Sequence, residues 1–345
     1  MPCVRVAHDM TVPLSVLDLA AVAADGSHSQ ALADTLTVAG EVDRLGYRRF
    51  WVAEHHGMPG IASSAPPVLI AAVAAATERI RVGSGGVMLP NHSSLVVAEQ
   101  FGTLVALHGD RIDLGLGRAA GTDPLISSTI RRGAAAEAVE DFPKQVVELM
   151  AYFGVIPPLR GGQGDRIRAI PGHGDAPQLW LLGSSDFSAR LAAMLGLPFA
   201  FAHHFAGGRT TPLVFELYRR EFTPSAVLSE PHSMVAVATV VADSAAEARR
   251  RTLPQNLVQL RMRTGQLPQR IPTLAEAEAY QWSDAENAFV DDRNAQQAVG
   301  TLDQVRARID ELVADTGADE VIVAPQGPTV TDRLHTLRAL AELPD

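Results

Sequence analysis

Arg49-Phe-Trp-Val-Ala-Glu-His-His56 opens with hydrophobic, strand-forming residues and ends in a carboxylate and two imidazoles. Gly57, Pro59 and Gly60 follow at once. Apolar residues closing on ionisable ones, then on turn formers, suit a buried parallel strand that delivers side chains to a site. The same residues also suit a salt-bridged surface corner. The rest of the chain has to decide between the two.

Working outward, seven more stretches read as strands: residues 14–18, 80–87, 111–117, 178–182, 198–203, 234–241 and 320–324. Helical spacing separates them. Residues 29–46 carry Ala31, Leu32, Leu36, Ala39, Val42 and Leu45 on one stripe, as an amphipathic helix requires. Residues 65–77 begin with Pro66 and Pro67, where a missing N–H is tolerated. Further helices are expected over 94–107, 139–153, 186–195, 212–221, 301–316 and 331–341, with another starting over 244–251. Strict strand–helix alternation implies a parallel sheet covered by helices. Eight such strands close as a (β/α)8 barrel more naturally than they spread as an open doubly wound sheet. The expectation is one barrel domain over residues 1–345, with insertions in the strand–helix loops at about 119–136, 157–177 and 254–295.

The 345 residues are 47% hydrophobic, with a formal net charge of −10. That acidic balance argues against nucleic acid and anionic membrane surfaces, both of which call for a basic footprint. Cys3 is the only cysteine, which excludes an internal disulfide and a cysteine-based zinc site. With neither a signal-like start nor an apolar run of about 18 residues, a cytoplasmic location is expected.

A parallel barrel works at the C-terminal ends of its strands. The expected ends carry Asp18; Glu54, His55 and His56; Gly85 and Gly86; Gly117 and Arg118; Gly183, Ser184 and Ser185; and His203 and His204. In Leu182-Gly-Ser-Ser-Asp-Phe-Ser188 a strand runs into a helix start. Free N–H groups, the positive end of the helix dipole and the serine hydroxyls there suit a phosphate. An ordinary serine cap is the alternative for that motif alone; Arg118 on the neighbouring strand favours the phosphate. Gly83-Ser-Gly-Gly86 weakens a strand interior, which a bulge or a closely approaching flat ligand would explain. It is not a dinucleotide fingerprint, because no helix follows directly. Adjacent histidines on a strand point to opposite faces, so each His-His pair supplies one ligand easily, and no metal is expected.

At these residues the chain resembles the luciferase-like monooxygenases, the flavin-dependent family that includes bacterial luciferase. Four motifs carry the resemblance in order: Trp51–Gly60; Val82–His92 with Ala98–Phe101; Gly109–Arg118; and Leu182–Ser185 with Ala192–Pro198. The resemblance implies a (β/α)8 barrel using reduced FMN, or in some relatives the deazaflavin F420. His55 matches the family's active-site histidine, and a general acid/base role is expected of it. Arg118, Gly183, Ser184, Ser185 and Ser188 fall in the phosphate-contacting region. Gly85 and Gly86 match a non-proline cis peptide beside the flavin ring. His203 falls where bacterial luciferase places a tryptophan against the flavin, which argues against light emission. Ser184 stands for a glutamate, Ala119-Ala120-Gly121 for a segment often holding proline, and Asp110 for a glycine. Glu54 either orients His55 or pairs with an arginine, and the second is expected.

The implied activity is oxygenation of a small organic substrate by O2, with reduced FMN supplied by a separate reductase, in a homodimer. The alternatives are F420-dependent hydride transfer and a non-catalytic flavin-binding partner subunit.

Overall fold

The computed structural model describes residues 12–119, 124–131, 139–157, 167–206, 210–267 and 269–341. Parts of the expected insertions at 119–136 and 157–177, and residues 1–11, lie outside them.

Among the described residues nine strands form: β1 (Leu14–Asp18), β2 (Arg49–Val52), β3 (Arg81–Met88), β4 (Ile112–Gly117), β5 (Gln178–Gly183), β6 (Phe199–Phe201), β7 (Ser233–Val241), β8 (Ala298–Gly300) and β9 (Glu320–Pro325). All pair in parallel, and β1 to β7 with β9 close into an eight-stranded barrel. Val16 faces Phe50 across β1 and β2, and Leu14 faces Val321 across β1 and β9. The eight barrel strands are the eight expected ones. The ninth, β8, lies outside the ring and pairs only with the end of β7, Val240 opposite Val299.

The helices between strands are α1 (His28–Arg44), α2 (Pro66–Ala75), α3 (Ser94–His108), α4 (Pro124–Ile130), α5 (Phe142–Tyr152), α6 (Asp186–Leu195), α7 (His203–Ala206), α8 (Thr211–Glu221), α9 (Ala245–Arg263), α10 (Leu274–Ala279), α11 (Asp284–Ala295), α12 (Leu302–Thr316) and α13 (Val330–Ala341). The segment 254–295 is more regular than a polar insertion. Ser244 caps α9, which runs through Pro254 to Arg263. Pro254 removes one backbone donor, but Leu253, Leu257 and Leu260 recur at helical spacing and pack with Ala277 and Val290. That buried cluster outweighs the lost bond. Capping boxes at Thr273 and Ser283 start α10 and α11, satisfying backbone N–H groups that have no partner within the helix. No helix among the described residues is long and apolar enough to cross a membrane.

Strand alternation sorts the opening stretch into two sets. Phe50 and Val52 pack outward under the helices, while Trp51 and Ala53 join Leu17, Trp180, Ala200, Met234, Ala236, Ile322 and Ala324 inside the barrel. Arg49 has the inward parity too and is fully buried. Its guanidinium donates to Glu320 at 2.9 and 3.0 Å, to Asp113 at 2.7 Å and to Gln178 at 2.8 Å. Trp51 Nε1 also donates to Asp113, at 2.9 Å. A polar plug thus fills the N-terminal end of the barrel, with the apolar layer above it and the mouth above that.

Candidate functional site

A cavity of about 380 Å³ opens at the C-terminal ends of the strands. Its apolar walls come from Leu17, Trp51, Leu182, Ala200, Ala236 and Ile322. His55, Gly85, Gly86, Arg118, Gly183, Ser184, Ser185 and Ser188 all line it. These residues come from the ends of β2, β3, β4 and β5 and from the start of α6, so barrel closure alone brings them together.

One end of the cavity is built for an anion. Gly183 leads into α6, whose N-cap Ser185 makes no side-chain cap bond. The hydroxyls of Ser184, Ser185 and Ser188 make no hydrogen bond among the described residues. A Cβ on Gly183 would lie 2.4 Å from Ser188 Oγ, so only glycine lets the turn close this tightly. The Arg118 guanidinium lies 4.0 Å from the Phe187 ring centroid, a stacking that orients it. It has no carboxylate partner among the described residues. A helix N-terminus, three open hydroxyls and an unneutralised guanidinium fit a phosphate.

The floor is the Gly85–Gly86 peptide, which is cis. A Cβ on Gly85 would lie 2.7 Å from Leu17 Cδ1 and 3.2 Å from Trp51, and one on Gly86 would lie 2.7 Å from Gly115 O. The missing side chains therefore allow the packing of β3 as well as leaving an open floor.

His55 faces this cavity with Nδ1 buried and unpartnered. Burial pushes its pKa down to about 4, against the opposing pull of Glu54. The residue expected to act as an acid/base is thus a neutral imidazole at neutral pH, because partial burial disfavours its charged form.

Glu54 pairs with neither an arginine nor His55. Oε1 accepts from His56 Nε2 and His92 Nε2, both at 2.7 Å, and Oε2 accepts from the Met88 N–H at 3.0 Å. Burial alone would raise its pKa, but these donors hold it at about 2. The carboxylate so ties the end of β2 to the strand carrying the glycine floor. Glu54, His56 and His92 are also the group of three metal-ligating side chains found among the described residues. Their 2.7 Å separations are those of hydrogen bonds; two ligands of a tetrahedral zinc stand about 3.3 Å apart.

His203 does not join the site. It is buried, its Nε2 donates to Gln296 O at 2.8 Å, and its Nδ1 meets Thr211 Oγ1 at 2.9 Å. Its neighbour His204 lines the cavity instead. Nδ1 of His204 approaches Ala236 O at 3.4 Å, and burial pushes its pKa down to about 4. β6 stops at Phe201 and α7 begins at His203, so the alternation of a strand extended to 203 no longer says which imidazole faces inward. Asp18 is structural: it accepts from Ala20 N, Thr35 Oγ1 and Arg333 Nη1.

A second cavity of about 150 Å³ adjoins the first and shares Leu17, Leu19, His55, His204 and Phe205 with it. Its far wall is formed by α9 and α11, largely within the segment 254–295 expected as a polar insertion with helical patches that serves as a substrate lid.

A sequence model described as luciferase-like monooxygenase matches residues 12–320. The chain is 42% identical over 334 residues to a luciferase-like monooxygenase of Escherichia coli (strain K12), covering 95% of this chain and 96% of that protein. It is similar to the crystal structure of apo-MsnO8, with a TM-score of 0.83, 36% identity, and coverage of 96% and 97% of the two chains. It also shares the fold, at a TM-score of 0.69 and 19% identity, with the oxygenating constituent of 3,6-diketocamphane monooxygenase from Pseudomonas putida, solved in complex with FMN. That match covers 96% of this chain and 97% of the other.

Proposed function

Because the chain belongs to the luciferase-like monooxygenase family, we propose that it binds reduced FMN, made by a separate flavin reductase, and uses O2 to oxygenate a small organic substrate. The observation that carries this reading is one cavity with a phosphate-type cradle at one end and an unpartnered imidazole over a glycine floor at the other. The FMN held by a neighbour of the same fold supports the choice of cofactor, and its description as an oxygenating constituent supports a separate reductase.

Arg118 and the hydroxyls of Ser184, Ser185 and Ser188 would hold the phosphate. Gly85 and Gly86 would let a flat ring lie close to the backbone. Bound reduced flavin supplies the electrons that activate O2. His55 would hold a hydrogen bond in its neutral form and take a proton at Nδ1, which has no competing partner. Leu17, Trp51, Leu182 and Ile322 would exclude water from the reacting centre. Val68, Ala72 and Ala75 expose a small-residue face on α2 that suits the proposed homodimer.

Titration with FMN and with F420, read by quenching of cofactor fluorescence, tests the cofactor. FMN is expected to bind more tightly, and Arg118→Ala to weaken it about tenfold or more, one charge-assisted contact being worth about 1.5–3 kcal/mol. Tighter F420 binding would replace this reading with hydride transfer. Rapid NADPH consumption by the protein and FMN alone would overturn the separate reductase.

A further inference from the structure

The second cavity holds a positive charge that nothing among the described residues answers. Four charged side chains line it: Asp18, Arg251, Arg293 and Arg333. Arg333 Nη1 donates to Asp18 at 2.8 Å. Arg251 pairs with Glu247 at 2.9 Å and Asp332 at 3.3 Å. Arg293, on α11, is half-buried and makes no side-chain hydrogen bond or ion pair among the described residues. Burial alone lowers its pKa, with no carboxylate raising it. Its charge reaches His204 at the boundary with the first cavity.

The opposite helix supplies matching groups. Gln255 and Gln259 lie one turn apart on α9, so they share a face. Both line the cavity, and neither amide side chain is hydrogen-bonded among the described residues. A partly desolvated guanidinium is costly to leave unanswered, and the open amides that line the same cavity add donors. An apolar chamber with a few convergent polar groups is the usual form of a small-molecule site.

We propose that this chamber is the substrate site and that Arg293, with Gln255 and Gln259, binds a carboxylate, so that the substrate is an anionic organic acid whose apolar body points towards His55 and His204. The proposal rests on the flavin reading, which places the reacting centre at the shared boundary. A guanidinium grips a carboxylate through two parallel N–H donors, and Met262 and Val258 beside it suit the apolar chain.

Isothermal titration of the full chain with hexanoate and with hexanamide tests the carboxylate site, and FMN titration of the same samples tests the flavin reading separately. Hexanoate is expected to bind about tenfold or more tightly than hexanamide, as one charge-assisted bidentate contact allows. Arg293→Gln should abolish that preference, Arg293→Lys should retain part of it, and FMN affinity should stay unchanged in both. Urea midpoints for both variants show that the fold is intact. Equal binding of the two probes, undiminished hexanoate binding by Arg293→Gln, or no saturation at millimolar hexanoate would overturn the proposal. Loss of FMN binding with the hexanoate preference kept would sink the flavin reading and leave the carboxylate site standing.

Discussion

Acidification should destabilise this protein earlier than its carboxylates can explain, through His55 and His204. Burial pushes both imidazoles from 6.5 down to about 4. Unfolding returns them to water and to the higher value, so between those limits the unfolded chain holds more protons than the folded one. Stability therefore falls as pH falls from about 6.5 to about 4, and the loss is complete below that range. Each ring contributes a slope of about 1.4 kcal/mol per pH unit inside the window, or about 3 kcal/mol across it. Glu54 and Glu320, both held at about 2 against a usual 4.5, act in a lower window. Their stabilisation is present above the unfolded value and is lost as pH falls towards 2. The two windows can be read separately. Urea midpoints at constant m-value, taken from neutral pH down to 4, give the slope for the natural chain and for His55→Gln and His204→Gln. Each substitution should remove about one proton's worth of slope, while His203, present in all three proteins, cancels from the comparison. Parallel curves for the natural chain and both variants would refute the neutral-imidazole description of the site.

Two more outcomes follow from the barrel interior. Arg49→Met should cost about 3–5 kcal/mol in urea unfolding at neutral pH, because it strips a buried cation from Asp113 and Glu320; a loss below about 1 kcal/mol would show that Arg81, which also pairs with Asp113, and Arg48 and His232, which also pair with Glu320, already suffice for those carboxylates. Gly86→Ala puts a Cβ 2.7 Å from Gly115 O, so β3 must move from β4, and FMN affinity should fall by about tenfold or more as the floor shifts. Gly40→Ala, a half-buried helical position whose added Cβ meets nothing within 4 Å, is the control and should leave FMN binding unchanged, since a helical Gly→Ala change without steric conflict alters stability by about 1 kcal/mol at most.

The strands were legible because parallel barrel strands are covered on both faces, and continuous apolar runs record that directly. Residues 49–52, 112–117 and 320–325 are buried throughout. Strand ends were harder. β6 and β2 stop earlier than their hydrophobic runs suggest, and a two-residue error at such an end exchanges His203 for His204. The expected helix start over 244–251 extends through Pro254 to Arg263 because Leu253, Leu257 and Leu260 carry the helical period across it. The polar plug had no local signal at all, since Arg49 meets Glu320 across 271 residues of chain. Nor could local pattern show that Gln255, Gln259 and Arg293 face one space, because their convergence depends on how α9 and α11 pack.

Alternation also recasts the stretch Arg49–His56. Counting inward from Arg49 by twos gives Trp51, Ala53 and His55: an ionic plug, an aromatic layer, a small residue and then an imidazole at the mouth. Counting the other set gives Glu54 and His56, which with His92 fasten β2 to β3. The three ionisable residues that close the stretch are therefore not one catalytic cluster. Glu54 is saturated by donors and held ionised, so it cannot exchange a proton with His55 near neutral pH, and His56 is bonded to Glu54. What remains for chemistry is a single neutral imidazole with a buried, unpartnered Nδ1, set between a phosphate-type cradle on one side and an unanswered guanidinium on the other. Such a ring gains a proton readily only when a negative charge forms beside it in a space closed to water, which is the condition that a reacting flavin and a bound carboxylate would create there together.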